Sequence, residues 1–155
     1  MSDLKGRRVL IVDDDVDLLH LIETIFSEAG AVVYAAQNGA RALELLAAHS
    51  PELVILDVMM PGMDGFETCA QIQQRSRVPV IFLTVLGQDQ EVVRGLESGA
   101  VDYMVKPFSS RVLLARASVA LRQANQTSLL EAQPPYDDGY LRIDLAAQQV
   151  FVQDL

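Results

Sequence analysis

Several residue types are scarce in this sequence, and each shortage excludes a class of protein. One of the 155 residues is cysteine and none is tryptophan. A lone cysteine, Cys69, can form neither an intramolecular disulfide nor a zinc cluster, which favours a reducing compartment. No apolar run approaches the ~20 residues of a membrane span, and the first residues lack the apolar stretch of a signal peptide. We therefore predict a cytoplasmic protein with no membrane partner.

Basic residues are also few in this chain. It has 12 Lys and Arg against 21 Asp and Glu, so its formal net charge is −9 at pH 7. Such a balance lacks the basic surface with which proteins attach to nucleic acid phosphates, so any DNA binding must come from elsewhere. What the chain does have is apolar material, since 50% of its residues are hydrophobic, and this predicts a folded globular domain.

The apolar residues alternate between two periods from about Arg8 to Lys106. Short solid runs, typical of strands buried on both faces, alternate with stretches whose apolar residues recur every three or four positions, as in helices. The predicted strands are residues 9–12, 32–36, 53–56, 80–83 and 103–105. The apolar residues Val92, Val93 and Leu96 mark the fourth of five helices, and the fifth is predicted at 110–123. This pattern predicts an α/β fold, a doubly wound five-stranded parallel sheet of order 2-1-3-4-5 with helices on both faces, in a flavodoxin-like three-layer sandwich.

The composition changes near the end of the predicted domain, which we place at residues 1–123. Residues 124–135 are polar and contain two prolines, as expected of a linker. From residue 136 onward, alternating apolar residues predict two short strands of a hairpin. Twenty residues cannot build a core of their own, so residues 136–155 are predicted to be the start of a second, truncated domain.

Acidic and polar residues follow the predicted strands at the point where each strand ends. Asp13 and Asp14 follow the first strand, Asp57 the third, Thr84 the fourth and Lys106 the fifth. Open parallel sheets bind ligands at this edge, so we expect these side chains to meet there. Three clustered carboxylates repel one another, and a hard divalent cation removes that repulsion; with few protein oxygens and room for water, Mg²⁺ suits the site better than Ca²⁺.

This arrangement also predicts phosphoryl transfer. Asp57 can act as a nucleophile that forms an acyl phosphate, while the Lys106 ammonium and the Thr84 hydroxyl can bind the phosphoryl oxygens. Each residue has a simpler interpretation by itself, because an aspartate run before a helix is often only a helix cap. A calcium loop starting at Asp13 is excluded, since its sixth position is Leu18 instead of Gly and its twelfth is Thr24 instead of Glu.

The sequence resembles the receiver domain of two-component response regulators over residues 7–123. The resemblance rests on four motifs that occur in order: Val9-Leu10-Ile11-Val12-Asp13-Asp14-Asp15, Leu56-Asp57-Val58-Met59-Met60-Pro61-Gly62-Met63-Asp64-Gly65, Thr84, and Gly99-Ala100-Val101-Asp102-Tyr103-Met104-Val105-Lys106-Pro107-Phe108. It implies that a sensor histidine kinase phosphorylates Asp57. It also implies that Asp14, Asp57 and the Met59 carbonyl hold Mg²⁺, with Asp13 assisting through water.

The resemblance further implies a conformational switch. On phosphorylation, Thr84 would move toward the phosphate and the Tyr103 ring would turn inward, which remodels the face formed by the fourth helix, fifth strand and fifth helix. The Lys106-Pro107 peptide bond would be cis. The domain would catalyse only its own phosphorylation and slow dephosphorylation, so it is not expected to be an enzyme in the usual sense.

The end of the sequence is similar to the winged-helix transcription-factor class of response regulators. Leu113-Leu114-Ala115-Arg116, Leu121-Arg122 and Leu141-Arg142-Ile143-Asp144 carry this likeness. In that class phosphorylated receivers form homodimers, and Asp102 and Arg116 match positions of an intersubunit ion pair. Residues 136–155 would then be the start of the output domain, and DNA would be bound only through the full-length output domain.

Two features of the sequence bear on phosphorylation rates. Val85 replaces the small residue usual after the threonine, and its branched side chain is expected to narrow access to Asp57. Met59 and Leu86 offer no amide or carboxylate to orient an attacking water, which predicts a long-lived acyl phosphate.

Three other functions are alternatives to a phosphorylated regulator. The first is an interaction module that works without phosphorylation. The second is an aspartyl-phosphate phosphatase, which would need an acid where Met59 stands, and the third is a flavin protein, which would need a phosphate-cradling loop after the first strand.

Overall fold

The computed structural model describes residues 4–132, and for 127–132 it describes the helical backbone alone. Five strands alternate with five helices, as predicted. The strands are β1 (Arg8–Val12), β2 (Val32–Ala36), β3 (Leu53–Leu56), β4 (Val80–Thr84) and β5 (Asp102–Val105). The helices are α1 (Val16–Glu28), α2 (Gly39–His49), α3 (Gly65–Arg75), α4 (Asp89–Glu97) and α5 (Ser110–Ala132). All strand pairs are parallel and the sheet order is β2-β1-β3-β4-β5, which confirms the predicted fold.

The sheet is covered on both faces, which explains the solid apolar runs. In β1, Leu10 and Val12 belong to one buried cluster, whereas Val9 and Ile11 belong to a second cluster on the other face. Successive side chains of a strand point to opposite faces, so a strand covered on both sides needs an apolar residue at every position. The central strands β3 and β4 are buried along their whole length.

Polar residues between the elements determine where the helices begin. The Asp15 side chain accepts hydrogen bonds from the backbone N–H groups of Asp17 and Leu18 and so caps α1. Asp64 and Glu67 form a reciprocal capping box at the start of α3. Such caps satisfy N–H groups that have no partner within the helix, and they fix the position where each helix begins next to the sheet edge.

The predicted cis peptide bond is present at Lys106-Pro107.

Two helices differ from the prediction. The apolar pattern located α4, but Val93 and Leu96 are exposed and the buried residue of this helix is Gly95. Helix α5 starts at Ser110 as predicted but continues to Ala132, nine residues beyond the predicted end, because the polar residues after Gln123 are also compatible with a helix. A helix therefore covers most of the segment predicted to be a linker.

The first compact unit of the chain ends at Ala124. The predicted hairpin lies outside the described residues, and the proposed division into domains stays a prediction. Within the described part of the chain, no helix has both the length and the apolar character needed to span a membrane.

Candidate functional site

Three aspartates meet at the carboxyl edge of the sheet. Val12 of β1 is the partner of Leu56 in β3, so the next residues, Asp13 and Asp57, emerge side by side. Carboxylate oxygens of Asp13, Asp14 and Asp57 all lie within 4.8 Å of one another. Asp13 and Asp57 are buried, whereas Asp14 is exposed. The cluster therefore has two fixed carboxylates and one that opens to solvent.

Lys106 neutralises part of this cluster. Its Nζ atom donates to Oδ2 of Asp13 at 2.9 Å and to Oδ2 of Asp57 at 3.2 Å. The strand register explains its position, because Thr84 pairs with Val105 and the Lys106 amide donates to the Thr84 carbonyl. Both oxygens of Asp13 are engaged, since its Oδ1 accepts from the Asp15 amide at 2.9 Å.

The pKa shifts follow from this burial and pairing. Burial raises the pKa of Asp13 above its ordinary value, and the charge of Asp57 adds to the rise, while hydrogen bonds from Asp15 and Lys106 oppose it. Burial by itself lowers the pKa of Lys106, but the hydrogen bond to Asp13 and the charges of Asp57 and Asp13 outweigh burial and raise it. Lys106 is therefore held as a cation between two carboxylates.

The donor set fits a magnesium ion. Mg²⁺ is bound through one or two carboxylates and keeps several of its waters, and the exposed Asp14 leaves room for them. A divalent cation would also balance the acidic cluster, because three ionised carboxylates paired with the single Lys106 ammonium leave two negative charges uncompensated. Met59, the predicted carbonyl ligand, follows Asp57 closely, and its amide donates to Oδ1 of Asp57 at 3.3 Å.

Gly65 is a site residue whose role the sequence reasoning missed. Its amide donates to the Val58 carbonyl at 2.8 Å, which brings the start of α3 against the backbone that carries Asp57. A Cβ atom at residue 65 would lie 2.2 Å from the Asp57 carbonyl oxygen and 2.5 Å from Val58 Cα. No side chain fits there, so glycine is needed for space. Its place directly after the Asp64 cap, at the end of the second motif, was the available signal.

The predicted switch residues are linked through the backbone of Leu86. Thr84 is fully buried, and its Oγ1 accepts from the Leu86 amide at 3.4 Å. The Tyr103 ring is turned inward, with 7% of its surface exposed, and its hydroxyl donates to the Leu86 carbonyl at 2.6 Å. A movement of Thr84 therefore acts on the backbone of Leu86, whose carbonyl also holds Tyr103.

Gly95 of α4 makes the inward position of Tyr103 possible. A Cβ atom there would lie 2.5 Å from Cδ2 of Tyr103 and 3.2 Å from Cδ2 of Phe82. The Tyr103 ring packs against Phe82, with ring centroids 5.7 Å apart. The ring thus occupies space that an α4 side chain would otherwise fill, which explains why the buried residue of this helix is glycine.

Asp102 and Arg116, predicted to pair between subunits, pair within this chain. Nη1 of Arg116 donates to Oδ1 of Asp102 at 2.8 Å, and both side chains are partly exposed. The two residues lie on β5 and α5, beside a groove of about 550 Å³ whose lining includes Val112, Ala115 and Val119. The intersubunit role stays a prediction, and in a dimer this pair would have to exchange partners.

Comparison with known proteins identifies the family. The sequence-family model of the response regulator receiver domain matches residues 9–118. The chain belongs to this family. The receiver domain is 42% identical over 147 residues to the probable transcriptional regulator ycf27 of Guillardia theta, covering 93% of this chain and 58% of that protein. It is 35% identical over 154 residues to the transcriptional regulatory protein ResD of Bacillus subtilis, covering 97% of this chain and 64% of ResD.

Solved structures show the same fold for the receiver domain. The BeF3-activated receiver domain of RstA from Klebsiella pneumoniae is 36% identical, with a TM-score of 0.73, and the match covers 76% of this chain and all of that one. A receiver domain from Francisella is 32% identical, also with a TM-score of 0.73, covering 77% of this chain and 99% of that one. The chain spans about three fifths of the length of the transcriptional regulators it matches. The description of these relatives as transcriptional regulators agrees with the predicted winged-helix class of receivers.

Proposed function

We propose that this receiver is a cytoplasmic phosphoacceptor that takes a phosphoryl group from a sensor histidine kinase onto Asp57. The observation that carries the proposal is the cluster in which Lys106 bridges Asp13 and Asp57 beside the exposed Asp14. Asp57 is 5% exposed, and the charged groups that surround its carboxylate lie at the same edge of the sheet.

Each residue of the site has a defined task in this proposal. Asp57 attacks phosphorus, and its two oxygens are oriented by the Lys106 ammonium and the Met59 amide. Lys106 then pairs with the phosphoryl oxygens, and Thr84 donates its hydroxyl to another of them. Mg²⁺, held by Asp14, Asp57 and the Met59 carbonyl with Asp13 assisting through water, would offset the charge of the phosphoryl oxygens when bound.

The response to phosphorylation follows from the shared backbone of Leu86. When the Thr84 hydroxyl turns to the phosphate, it gives up its contact with the Leu86 amide, and Tyr103 is tied to the carbonyl of the same residue. This signal would reach the α4-β5-α5 face and favour a homodimer. Control of transcription, with DNA bound only through a full-length output domain, is proposed from the names of the relatives. The domain would turn over only its own phosphate.

The proposal is tested by intact-mass measurement after incubation with acetyl phosphate and Mg²⁺. We expect one phosphoryl group on the wild type, none on Asp57→Asn and none after chelation of Mg²⁺. The same samples run on a sizing column are expected to show more dimer after phosphorylation. An unmodified Asp57 under these conditions would favour the alternative, an interaction module that works without phosphorylation.

A second prediction concerns the lifetime of the acyl phosphate. Met59 is 52% exposed beside Asp57 and has no group that could orient a water. Met59→Gln supplies an amide, and we expect it to shorten the half-life of phospho-Asp57 by on the order of tenfold, below the effect of a full general base. Phosphate release after removal of the donor measures this half-life. Met59→Leu is the apolar control, and an unchanged or longer half-life in the glutamine variant would contradict the prediction.

A further inference from the structure

A groove of about 520 Å³ opens beside the phosphoacceptor. Asp14 and Met59, which belong to the site described above, form part of its lining. Leu86, two residues beyond Thr84, lines it as well, and other walls are provided by the apolar side chains of Met60 and Phe66. The groove therefore joins the reaction centre to an apolar surface that neither the metal site nor the switch uses.

Arg94 is the only cation among the described residues that line this groove. Its guanidinium carbon lies 4.2 Å from the centroid of the Phe66 ring. Phe66 is buried and packs against Phe82, with ring centroids 5.4 Å apart, so the surface under Arg94 is fixed. Stacking uses the flat face of a guanidinium and leaves its N–H groups directed outward in the plane, where they can bind a carboxylate.

The acidic residues of the groove are already engaged. Asp64 accepts from the Glu67 amide at the start of α3, and Glu91 accepts from the Gln88 amide at the start of α4. Both carboxylates therefore face helix N-termini, whose positive dipole ends offset part of their charge. The remaining acid, Asp14, faces the proposed cation site. Arg94 is the group left to attract an anion.

The position of the groove specifies which anion arrives there. In an in-line transfer the leaving group departs on the side of phosphorus opposite Asp57, along the path by which water later attacks. Met59, two residues after Asp57, and Leu86, two residues after Thr84, both line the groove. A leaving group that departs into the groove would therefore meet these two apolar side chains and Arg94.

We propose that this groove is a subsite for the leaving group of short-chain acyl phosphates, with Arg94 as the specificity-determining residue. The inference rests on the proposed phosphorylation of Asp57. An Asp57 oxygen forms a bond to phosphorus while the bond from phosphorus to the acyl oxygen breaks. The electron pair leaves with that oxygen, so the product is a carboxylate and no proton moves. The apolar walls accept the acyl chain, and the guanidinium pairs with the carboxylate as its charge develops.

The test compares donors that differ in their leaving group. Rates of Asp57 phosphorylation are measured by intact mass with acetyl phosphate, butyryl phosphate and phosphoramidate, which has no acyl group. We expect wild type to use butyryl phosphate at least as fast as acetyl phosphate. Arg94→Met is expected to lower both acyl phosphate rates about two- to fivefold, the range for an exposed ion pair, and to leave the phosphoramidate rate unchanged.

Two further variants separate specific from general effects. Glu91→Gln keeps the capping box of α4 and removes a negative charge from the groove, so it should raise the acyl phosphate rates relative to phosphoramidate. Arg75→Met removes a cation at the other end of α3 and should change no rate. If Arg94→Met changed the phosphorylation rate equally for all donors, or for none, the proposed subsite would be overturned, but the proposed phosphorylation of Asp57 would not. Failure of every donor to label wild type would instead overturn the proposed function.

Discussion

Replacing Lys106 with methionine is expected to lower the free energy of unfolding by about 3 kcal/mol when no divalent cation is present. The side chains of Lys106, Asp13 and Asp57 are 13%, 3% and 7% exposed, so the lysine pairs with two carboxylates that water hardly reaches. Removing one partner of a buried ion pair leaves an uncompensated charge, which costs more than the pair contributes. Chemical denaturation with a chelator present measures this loss.

Mg²⁺ should restore part of the stability lost in Lys106→Met. A cation bound by the three aspartates compensates the same charges, so the difference between the two proteins should shrink as Mg²⁺ rises. The double variant Asp13→Asn, Lys106→Met should recover stability without Mg²⁺, because it removes one of the two repelling buried carboxylates. The chain's other lysine, Lys5, is exposed and supplies the control Lys5→Met. A loss in Lys106→Met no larger than in Lys5→Met would contradict the role assigned to Lys106.

Gly65→Ala is expected to destabilise the domain by about 1–3 kcal/mol and to reduce phosphorylation of Asp57 at least tenfold. The added methyl group would meet backbone atoms, the Asp57 carbonyl oxygen at 2.2 Å and Val58 Cα at 2.5 Å, so no rotamer change relieves the overlap. Either α3 or the backbone that carries Asp57 must move. Small displacements of a reacting group have large effects on rate, so the phosphorylation rate should fall by more than the loss of folded protein alone would cause.

Gly62 provides a matched control in the same loop. It has a φ of +77°, but a Cβ atom there would meet nothing within 4 Å. Asparagine tolerates this left-handed conformation, so Gly62→Asn should keep the stability of the wild type and a phosphorylation rate within about threefold of the wild-type rate. Denaturation midpoints and initial rates with acetyl phosphate distinguish the two glycines. An active Gly65→Ala protein with normal stability would show that α3 does not hold the phosphoacceptor backbone in place.

The sequence predicted the sheet because its local pattern and its tertiary environment agree. The strands buried on both faces are apolar at nearly every position: β3 is the unbroken run Leu53–Leu56, and in β4 the polar Thr84 stands only at the end. The pattern was less informative for α4, where Val93 and Leu96 predicted a buried face and are exposed. Periodicity reports which residues are apolar, but it does not report whether a neighbour covers them. The end of α5 was misjudged for a related reason, since polar residues fit a solvated helix as well as a linker.

The sequence by itself determined which groups could do chemistry: the three aspartates, Thr84 and Lys106 at strand ends, in motifs that occur in a fixed order. Only the tertiary structure decided how they act together. The strand register places Asp13 beside Asp57, and it brings Lys106 within 2.9 Å of Asp13 across 93 positions of sequence. The requirements for glycine at residues 65 and 95 likewise arise from neighbouring elements that fill the space, the backbone after β3 at residue 65 and the rings of Tyr103 and Phe82 at residue 95. Contacts of this kind depend on packing in three dimensions, which no local pattern of residues encodes.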